Sequence, residues 1–288
     1  MKLALSTAAM LPLLAGLLNG CGGNLPQVAT TNVAGRQVEF ALSRHDTLPV
    51  VFETGLGGHF TWWEEVYPPI AESATALVYN RAGIGNSDAV ASPRDGRHVV
   101  QELRELLISQ KLAPPYVLVG HSLGGLYLQW YARYYPQEVA ALILVDSTHP
   151  AQLKGQGAVE HWPFWWRWLF EVSLSAAAEG EFAEIDRTGD EVLAAPVFGA
   201  VPVIVLSAAQ PLADTSSLAV DSNRKRMELA RLYPGAIQIW VDSGHAMPLE
   251  RPEPIISAIR EVLAAVQPKS EPVTTRSAQT PAGADASR

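Results

Sequence analysis

Six short apolar runs recur along the chain, separated by polar or glycine-rich segments. The runs cover residues 49–53, 76–79, 116–119, 141–145, 201–206 and 237–241. Most are apolar almost throughout instead of alternating between apolar and polar positions, which is typical of strands buried on both faces. Between two of them, apolar residues follow a helical spacing at Val99, Val100, Leu103, Leu106 and Leu107. Strands that alternate with amphipathic helices predict an α/β fold with a mostly parallel sheet covered on both faces.

A pentapeptide with the pattern G-x-S-x-G links the third run to a helix-like segment over residues 125–135. It reads Gly120-His121-Ser122-Leu123-Gly124. In this arrangement the serine occupies a strained turn between strand and helix, and its hydroxyl projects as a nucleophile. The next amide, on Leu123, would lie at a helix N-terminus and could donate to an oxyanion. For the pentapeptide alone, a capping serine in a glycine-rich turn is an equally good interpretation, so the neighbouring segments must decide.

Two further segments supply the partners that a nucleophilic serine needs. Residues 54–58, a glycine-rich loop after the first run, lie where a second oxyanion donor is expected, and the N–H of Leu56 is the candidate. His245 follows the last run, at the edge of a parallel sheet where ligands bind. We therefore predict that Ser122 is the nucleophile and that His245 is its general base.

Four segments of this chain resemble motifs of the α/β-hydrolase superfamily. They are residues 54–58, 80–87, 120–124 and 243–245. The segments occur in the family's order and, with the predicted strands, span residues 36–266. The resemblance implies a mostly parallel, doubly wound sheet of the α/β-hydrolase type with a helical cap insertion. It also implies a serine hydrolase that works through an acyl-enzyme.

The third member of the proposed catalytic group departs from the family's usual pattern. The acid commonly follows the strand predicted from the fifth run, yet Gln210 occupies that position. Glutamine can orient an imidazole, but it carries no charge to balance an imidazolium. Asp146, directly after the fourth run, is the predicted acid because some members of the family place it there, and capping of the following turn is the alternative interpretation. Asp214 is the second candidate and Asp221 the third.

Composition limits the classes of function. At 288 residues, of which 48% are hydrophobic, the chain can bury one sizeable core. Its formal net charge is −8, and the basic cluster at residues 224–226 stands alone, which disfavours nucleic-acid binding. No phosphate-loop or dinucleotide motif follows a predicted strand, and no cysteine–histidine cluster suggests a metal. We expect a small-molecule substrate with an apolar group, and neither a cofactor nor a metal.

The N-terminus predicts export from a bacterial cell. Lys2 precedes an uncharged apolar stretch over residues 3–18, as in a secretory signal peptide. Residues 18–21 resemble a lipobox, whose cysteine is lipidated, and Cys21 is the one cysteine of the chain. A lone structural cysteine is the alternative interpretation. The lipobox interpretation predicts a lipid-anchored membrane protein of the cell envelope that faces the periplasm or the exterior.

The segment that interrupts the strand–helix alternation after the fourth run is rich in aromatic side chains. Four of the chain's eight tryptophans lie within residues 162–170. Core packing and contact with a bilayer interface are two interpretations of this cluster. A third is an apolar substrate pocket above Ser122. For that pocket the predicted substrate-binding residues are Trp162, Trp165 and Trp166.

These observations divide the chain into four parts, the last of which is rich in Pro, Ser, Thr and Ala and predicts disorder. The parts are a signal peptide (1–20), a tether (21–35), a hydrolase domain (36–266) with a cap insertion (150–196), and a disordered tail (267–288). The predicted function is hydrolysis of a carboxylic ester with an apolar acyl or alcohol part, with amide, lactone and thioester substrates left open. The alternative is a non-catalytic envelope lipoprotein that retains the fold as a binding module.

Overall fold

The computed structural model describes residues 25, 28–199, 201–209 and 216–266. Within them, eight strands form one sheet in the order β1-β2-β4-β3-β5-β6-β7-β8. The strands are β1 (Val28–Val33), β2 (Arg36–Ser43), β3 (Val50–Glu53), β4 (Ala76–Tyr79), β5 (Tyr116–His121), β6 (Val139–Val145), β7 (Val203–Ala208) and β8 (Ile237–Val241). Strands β3 to β8 are parallel to one another. The predicted fold class, a mostly parallel α/β sheet, is confirmed.

All six apolar runs form parallel strands of this sheet. Two of them, 76–79 and 237–241, coincide with β4 and β8. The third run continues for two residues beyond its predicted end, because His121 still pairs with Val145 of β6. Each strand from β3 to β7 is buried along nearly its whole length, which is why these runs carry so few polar residues.

The sequence patterns did not predict the first two strands. β1 pairs with β2 and β2 with β4, both antiparallel, and β1 lies inside the range expected to be a tether, 21–35. β1 is mostly exposed, and its sequence VATTNV contains three polar residues in succession. An edge strand with so little burial has no continuous apolar run to mark it. The sheet therefore begins before residue 36.

Helices cover both faces of the sheet. They are α1 (Tyr67–Ala71), α2 (Gly96–Ser109), α3 (Leu123–Tyr134), α4 (Phe164–Ser173), α5 (Ala176–Ala183), α6 (Ile185–Ala194), α7 (Ser217–Glu228), α8 (Met247–Glu250) and α9 (Pro252–Val266). On one face of the sheet, α2 and α3 form a hydrophobic cluster with Leu118 of β5. On the other face, α1 and α9 form a second cluster with Val119, the next residue of β5. Successive residues of β5 thus enter opposite halves of the core, as the two-residue period of a strand requires.

The segment between β6 and β7 forms the predicted helical insertion. It contains α4, α5 and α6, the last of which packs against α3. In the interior of the insertion, the rings of Trp162, Phe170 and Phe182 contact one another at centroid distances of 4.8 to 5.9 Å. Core packing therefore accounts for part of the aromatic cluster seen in the sequence.

Among the helices of the described ranges, none is long and apolar enough to cross a membrane. The predicted signal peptide, Cys21 and the predicted tail (267–288) lie outside the described residues, as do Gln210 and the alternative acid Asp214. The predictions for these segments therefore stay predictions.

Candidate active site

Ser122 occupies a sharp turn between β5 and α3. Its backbone has φ +52° and ψ −124°, a conformation that non-glycine residues rarely adopt, and it is the N-cap residue of α3. The N–H of Ser122 donates to the carbonyl of Val145 at 3.1 Å, which ties the turn to the end of β6. Gly124 is required at its position, because a Cβ there would overlap the carbonyl oxygens of Glu53 and Thr54. The strained turn that the pentapeptide predicts is therefore present.

The side chains of Ser122, His245 and Asp146 form a continuous chain of hydrogen bonds. Nδ1 of His245 lies 2.7 Å from Oδ2 of Asp146, and Nε2 of His245 lies 3.0 Å from Oγ of Ser122. A carboxylate can only accept, so Nδ1–H donates to Asp146 and the unprotonated Nε2 accepts from the serine hydroxyl. In this arrangement the imidazole is oriented to take a proton from Ser122.

Asp146 directly follows β6 and is buried, with a positive φ of +36°. Its Oδ1 also accepts from the N–H of Ala208 at 3.1 Å and from Nε of Arg226 at 2.9 Å. The carboxylate thus bonds across the sheet to β7 and to α7, and its contacts do not require the capping role considered from the sequence. Burial alone would raise the pKa of Asp146, but the hydrogen bond from His245, the charge that His245 carries when it is protonated and the charge of Arg226 hold this pKa well below its usual value.

The two predicted oxyanion donors flank the serine. Leu123 is the first residue of α3, and Leu56 belongs to the loop after β3. A methyl group placed on Gly55 would lie 3.6 Å from Ser122 Oγ, which shows how closely this loop approaches the nucleophile. Within the described ranges, the N–H groups of Leu56 and Leu123 have no hydrogen-bond acceptor in the protein. Both amides are therefore available to an oxygen bound in front of Ser122.

His121, the variable residue of the pentapeptide, contacts His245 directly. Its Nε2 lies 2.8 Å from the carbonyl oxygen of His245, so Nε2–H is the donor. The ring stacks on Trp62 at 5.3 Å and lies 4.9 Å from the ring of His245. Burial, together with the charge that His245 carries when it is protonated, lowers the pKa of His121 to about 3. His121 is therefore neutral at physiological pH, and its hydrogen bond holds the loop that carries His245.

The three predicted substrate-binding tryptophans belong to the insertion between β6 and β7. Trp162 packs inside the insertion, and its Nε1 donates to the carbonyl of Gly157. Trp165 is 52% exposed on α4, and the side chain of Trp166 lies outside the described part of the structure. A substrate-binding role for the three tryptophans stays a prediction. Within the described ranges, the indole of Trp62 stacks on His121, which contacts His245.

Two contacts of the site escaped sequence reasoning because they depend on tertiary structure. Arg226 belongs to the basic cluster at residues 224–226, and only the packing of α7 brings it to Asp146. His121 occupies a variable motif position, which carries no chemical signal by itself.

In the described ranges, no group of three or more histidine, cysteine, aspartate or glutamate side chains could hold a metal ion.

Comparison with known proteins places this geometry in a familiar fold. Residues 49–182 match the model of the alpha/beta hydrolase fold family, a span that contains Ser122 and Asp146 but ends before His245. Among solved structures, a thermophilic esterase from Thermogutta terrifontis aligns with a TM-score of 0.61 at 22% identity, covering 84% of this chain and all of the esterase chain. At that identity the likeness shows the fold alone, which is that of the α/β hydrolases.

Two curated relatives illustrate the range of sequence matches. The uncharacterized protein YqjL of Bacillus subtilis (strain 168) is 25% identical over 229 residues, which cover 78% of this chain and 87% of YqjL. The (lyso)-N-acylphosphatidylethanolamine lipase of Homo sapiens is 29% identical over 125 residues, 40% of this chain and 36% of the lipase. With two further uncharacterized relatives, the chain spans 34% and 22% of their lengths. Among these matches, the family model and the lipase are the hydrolases to which this chain is similar.

Proposed function

We propose that this chain, which has the α/β-hydrolase fold, is a serine hydrolase that cleaves a carboxylic ester with an apolar acyl or alcohol part. The observation that carries the proposal is the hydrogen-bond chain from Ser122 through His245 to Asp146. A capping serine in a structural turn has no need of an oriented imidazole, whereas a nucleophile does.

The proposed reaction uses each of these groups in turn. Ser122 Oγ attacks the ester carbonyl while Nε2 of His245 takes its proton, and the amides of Leu56 and Leu123 bind the resulting oxyanion. His245 then protonates the alcohol as it leaves, and an acyl-enzyme remains. A water molecule, deprotonated by the same Nε2, releases the carboxylic acid and restores Ser122. Asp146 stays ionised throughout, since its pKa is held low, and so balances the imidazolium charge.

Apolar side chains beside the serine support the apolar part of the substrate. Leu56 and Trp62 are both partly exposed, Leu56 in the loop next to Ser122 and Trp62 against His121. A site with a few directed polar groups and otherwise apolar walls is suited to an acyl chain or a hydrophobic alcohol.

Labelling with a fluorophosphonate probe tests this function. Wild-type protein should form a covalent adduct on Ser122, because an activated serine attacks the phosphorus centre and the oxyanion donors stabilise the product. Ser122→Ala should show no labelling, and Ser109→Ala, a control on α2 remote from the site, should label like wild type. Adduct formation is measured by intact-protein mass spectrometry. Equal labelling of Ser122→Ala and wild type would contradict the proposal.

The non-catalytic alternative drew its support from Gln210 at the usual position of the acid. A carboxylate from Asp146 at 2.7 Å from His245 removes the need for an acid at position 210. A folded wild-type protein that failed to react with the probe, and that released no product from esters of varied chain length, would favour the binding module.

We propose further that Cys21 is lipidated and anchors the protein in the cell envelope, on the sequence of residues 18–21 alone. Wild-type protein expressed in a Gram-negative host should incorporate labelled fatty acid and enter the membrane fraction, whereas Cys21→Ser should do neither. Stable anchoring requires two or more acyl chains, since one chain binds membranes only marginally. Ser109→Ala serves as a control for expression and export. Equal incorporation by wild type and Cys21→Ser would exclude Cys21 as the attachment site.

A further inference from the structure

A buried arginine holds the loop that carries one of the proposed oxyanion donors. Arg81 follows β4, and its side chain is only 2% exposed. Its Nη1 donates to the carbonyl of Thr54 at 2.6 Å and to Oε1 of Glu53 at 2.7 Å. Its Nη2 donates to the carbonyl of Gly55 at 2.6 Å. A planar guanidinium fixes the direction of its donors, so it orients the Thr54 carbonyl and, together with the Gly58 N–H at 3.1 Å, the Gly55 carbonyl.

The bond to Gly55 also determines where the next amide points. In a trans peptide the C=O of one residue and the N–H of the following residue point in opposite directions. Because the Gly55 oxygen faces Arg81, the N–H of Leu56 faces away from the guanidinium. Gly55 lies against Ser122, so this N–H belongs to the peptide next to the nucleophile.

The insertion supplies the group that holds Arg81 in turn. Glu181 of α5 is fully buried, and its carboxylate accepts from Nε of Arg81 at 2.6 Å and from Nη2 at 2.8 Å. The same carboxylate accepts from the N–H of Gly57 at 2.8 Å. A bidentate pair of this kind is directional as well as strong. One side chain of the insertion therefore binds the loop directly and also through Arg81.

The packing of α5 leaves the loop little freedom. Gly57 has a positive φ of +57°, and a methyl group on it would lie 2.7 Å from Cβ of Ala178. Gly83, in the loop that carries Arg81, has the same close approach to Ala177 at 3.1 Å. Small residues on α5 thus allow the helix to lie directly on both loops, which is what brings Glu181 within reach.

We infer that Glu181 is a positioning residue for hydrolysis: from the insertion, and through Arg81, it fixes the Leu56 N–H in the direction of the oxyanion. The inference rests on the proposed function. It assigns the insertion a role in the chemical step, since an oxyanion donor acts on the charge that develops in the transition state. A purely structural role for the network of Glu53, Arg81 and Glu181 predicts lower stability without a selective loss of kcat.

The test compares Glu181→Gln with Glu179→Gln, a matched change at an exposed position of the same helix. The glutamine amide has one acceptor oxygen, so it cannot accept from Nε of Arg81 at one end while the other end accepts from Nη2 and from the Gly57 N–H, and its NH2 group would face a donor. Loss of a whole oxyanion donor lowers kcat by about 10² to 10³, so a misdirected donor should lower kcat by about 10- to 100-fold. KM should change by less than about threefold, because the oxyanion forms after binding. Glu179→Gln should match wild type in both constants.

A transition-state analogue supplies a second readout. A phenylboronic acid forms a tetrahedral adduct on the serine with an oxygen in the oxyanion position, so its Ki for Glu181→Gln should rise by the factor by which kcat/KM falls. Arg81→Lys should give a similar loss, since an ammonium cannot donate to both carbonyls in the same planar geometry. If the two residues act as a unit, the kcat of the double variant Glu181→Gln/Arg81→Lys should be only slightly lower than that of the less active single variant.

Glu181→Asp covers the case in which Glu181→Gln does not fold. It keeps the charge but shortens the side chain, so the carboxylate cannot bond Arg81 and Gly57 together. Rates are compared where circular dichroism shows each variant to be folded. The inference is overturned if folded Glu181→Gln or Glu181→Asp keeps kcat within about twofold of Glu179→Gln. It is overturned equally if KM rises while kcat is unchanged. Undiminished hydrolysis by Ser122→Ala would instead overturn the proposed function, so the two failures are distinguishable.

Discussion

Ser122→Ala and His245→Ala should each lower ester turnover by roughly 10⁴ to 10⁶. Removing the serine hydroxyl takes away the nucleophile, and removing the imidazole leaves that hydroxyl with no base at 3.0 Å to accept its proton. The losses should be similar because the two groups act as a unit, so losing either removes the same covalent route. The measurement is kcat/KM for a series of p-nitrophenyl esters of increasing acyl length.

The thermal unfolding of both variants should stay close to that of wild type. The side chain of His245 is 24% exposed, so its removal opens no sealed cavity in the core. Ser109→Ala and His45→Ala are suitable controls, since both positions lie away from the carboxyl edge of the sheet that carries the site. If Ser122→Ala kept most of the wild-type ester hydrolysis, Ser122 would not be the nucleophile.

The sequence was informative wherever burial leaves a periodic pattern. The strands from β3 to β8 could be predicted because nearly all are continuous apolar runs, which parallel strands covered on both faces require. β1 could not, because an exposed edge strand with the sequence VATTNV is stabilised by main-chain pairing, and pairing leaves no mark on side-chain type. Its range was therefore interpreted as a tether.

In the candidate site, the residues with a local sequence motif could be predicted, and the residues that hold them in place through tertiary contacts could not. Ser122 and His245 carry signals of their own, in a short motif and in a position after a strand. The supports of that pair are scattered along the chain: Arg226 on α7, His121 beside the base, and Glu181 on the insertion. Each is brought to the site by packing between elements that are distant in sequence, so neither residue type nor spacing could have identified it.

The carboxylate of Asp146 is the least ordinary part of the site, because it follows β6 rather than β7. Asp146→Asn should lower turnover by about two to four orders of magnitude, since an amide can hydrogen-bond His245 but cannot balance the imidazolium and favours the wrong tautomer. The change also weakens charged hydrogen bonds to Arg226, so the free energy of unfolding should fall by about 1 to 3 kcal/mol. Activity is therefore compared below the unfolding transition of the variant.

Relocation of the charge separates a catalytic from a structural role for Asp146. In the double variant Asp146→Asn/Gln210→Asp, the carboxylate lies at the position after β7 that is usual in the α/β-hydrolase superfamily. Part of the lost turnover should then be recovered. Recovery is expected only if the negative charge beside His245 matters for turnover and the strand that supplies this charge does not. Asp214→Asn, the matched loss of a carboxylate in the later loop, should have a mild effect on kcat. Near wild-type turnover in Asp146→Asn, together with inactive Asp214→Asn, would assign the acid to that later loop.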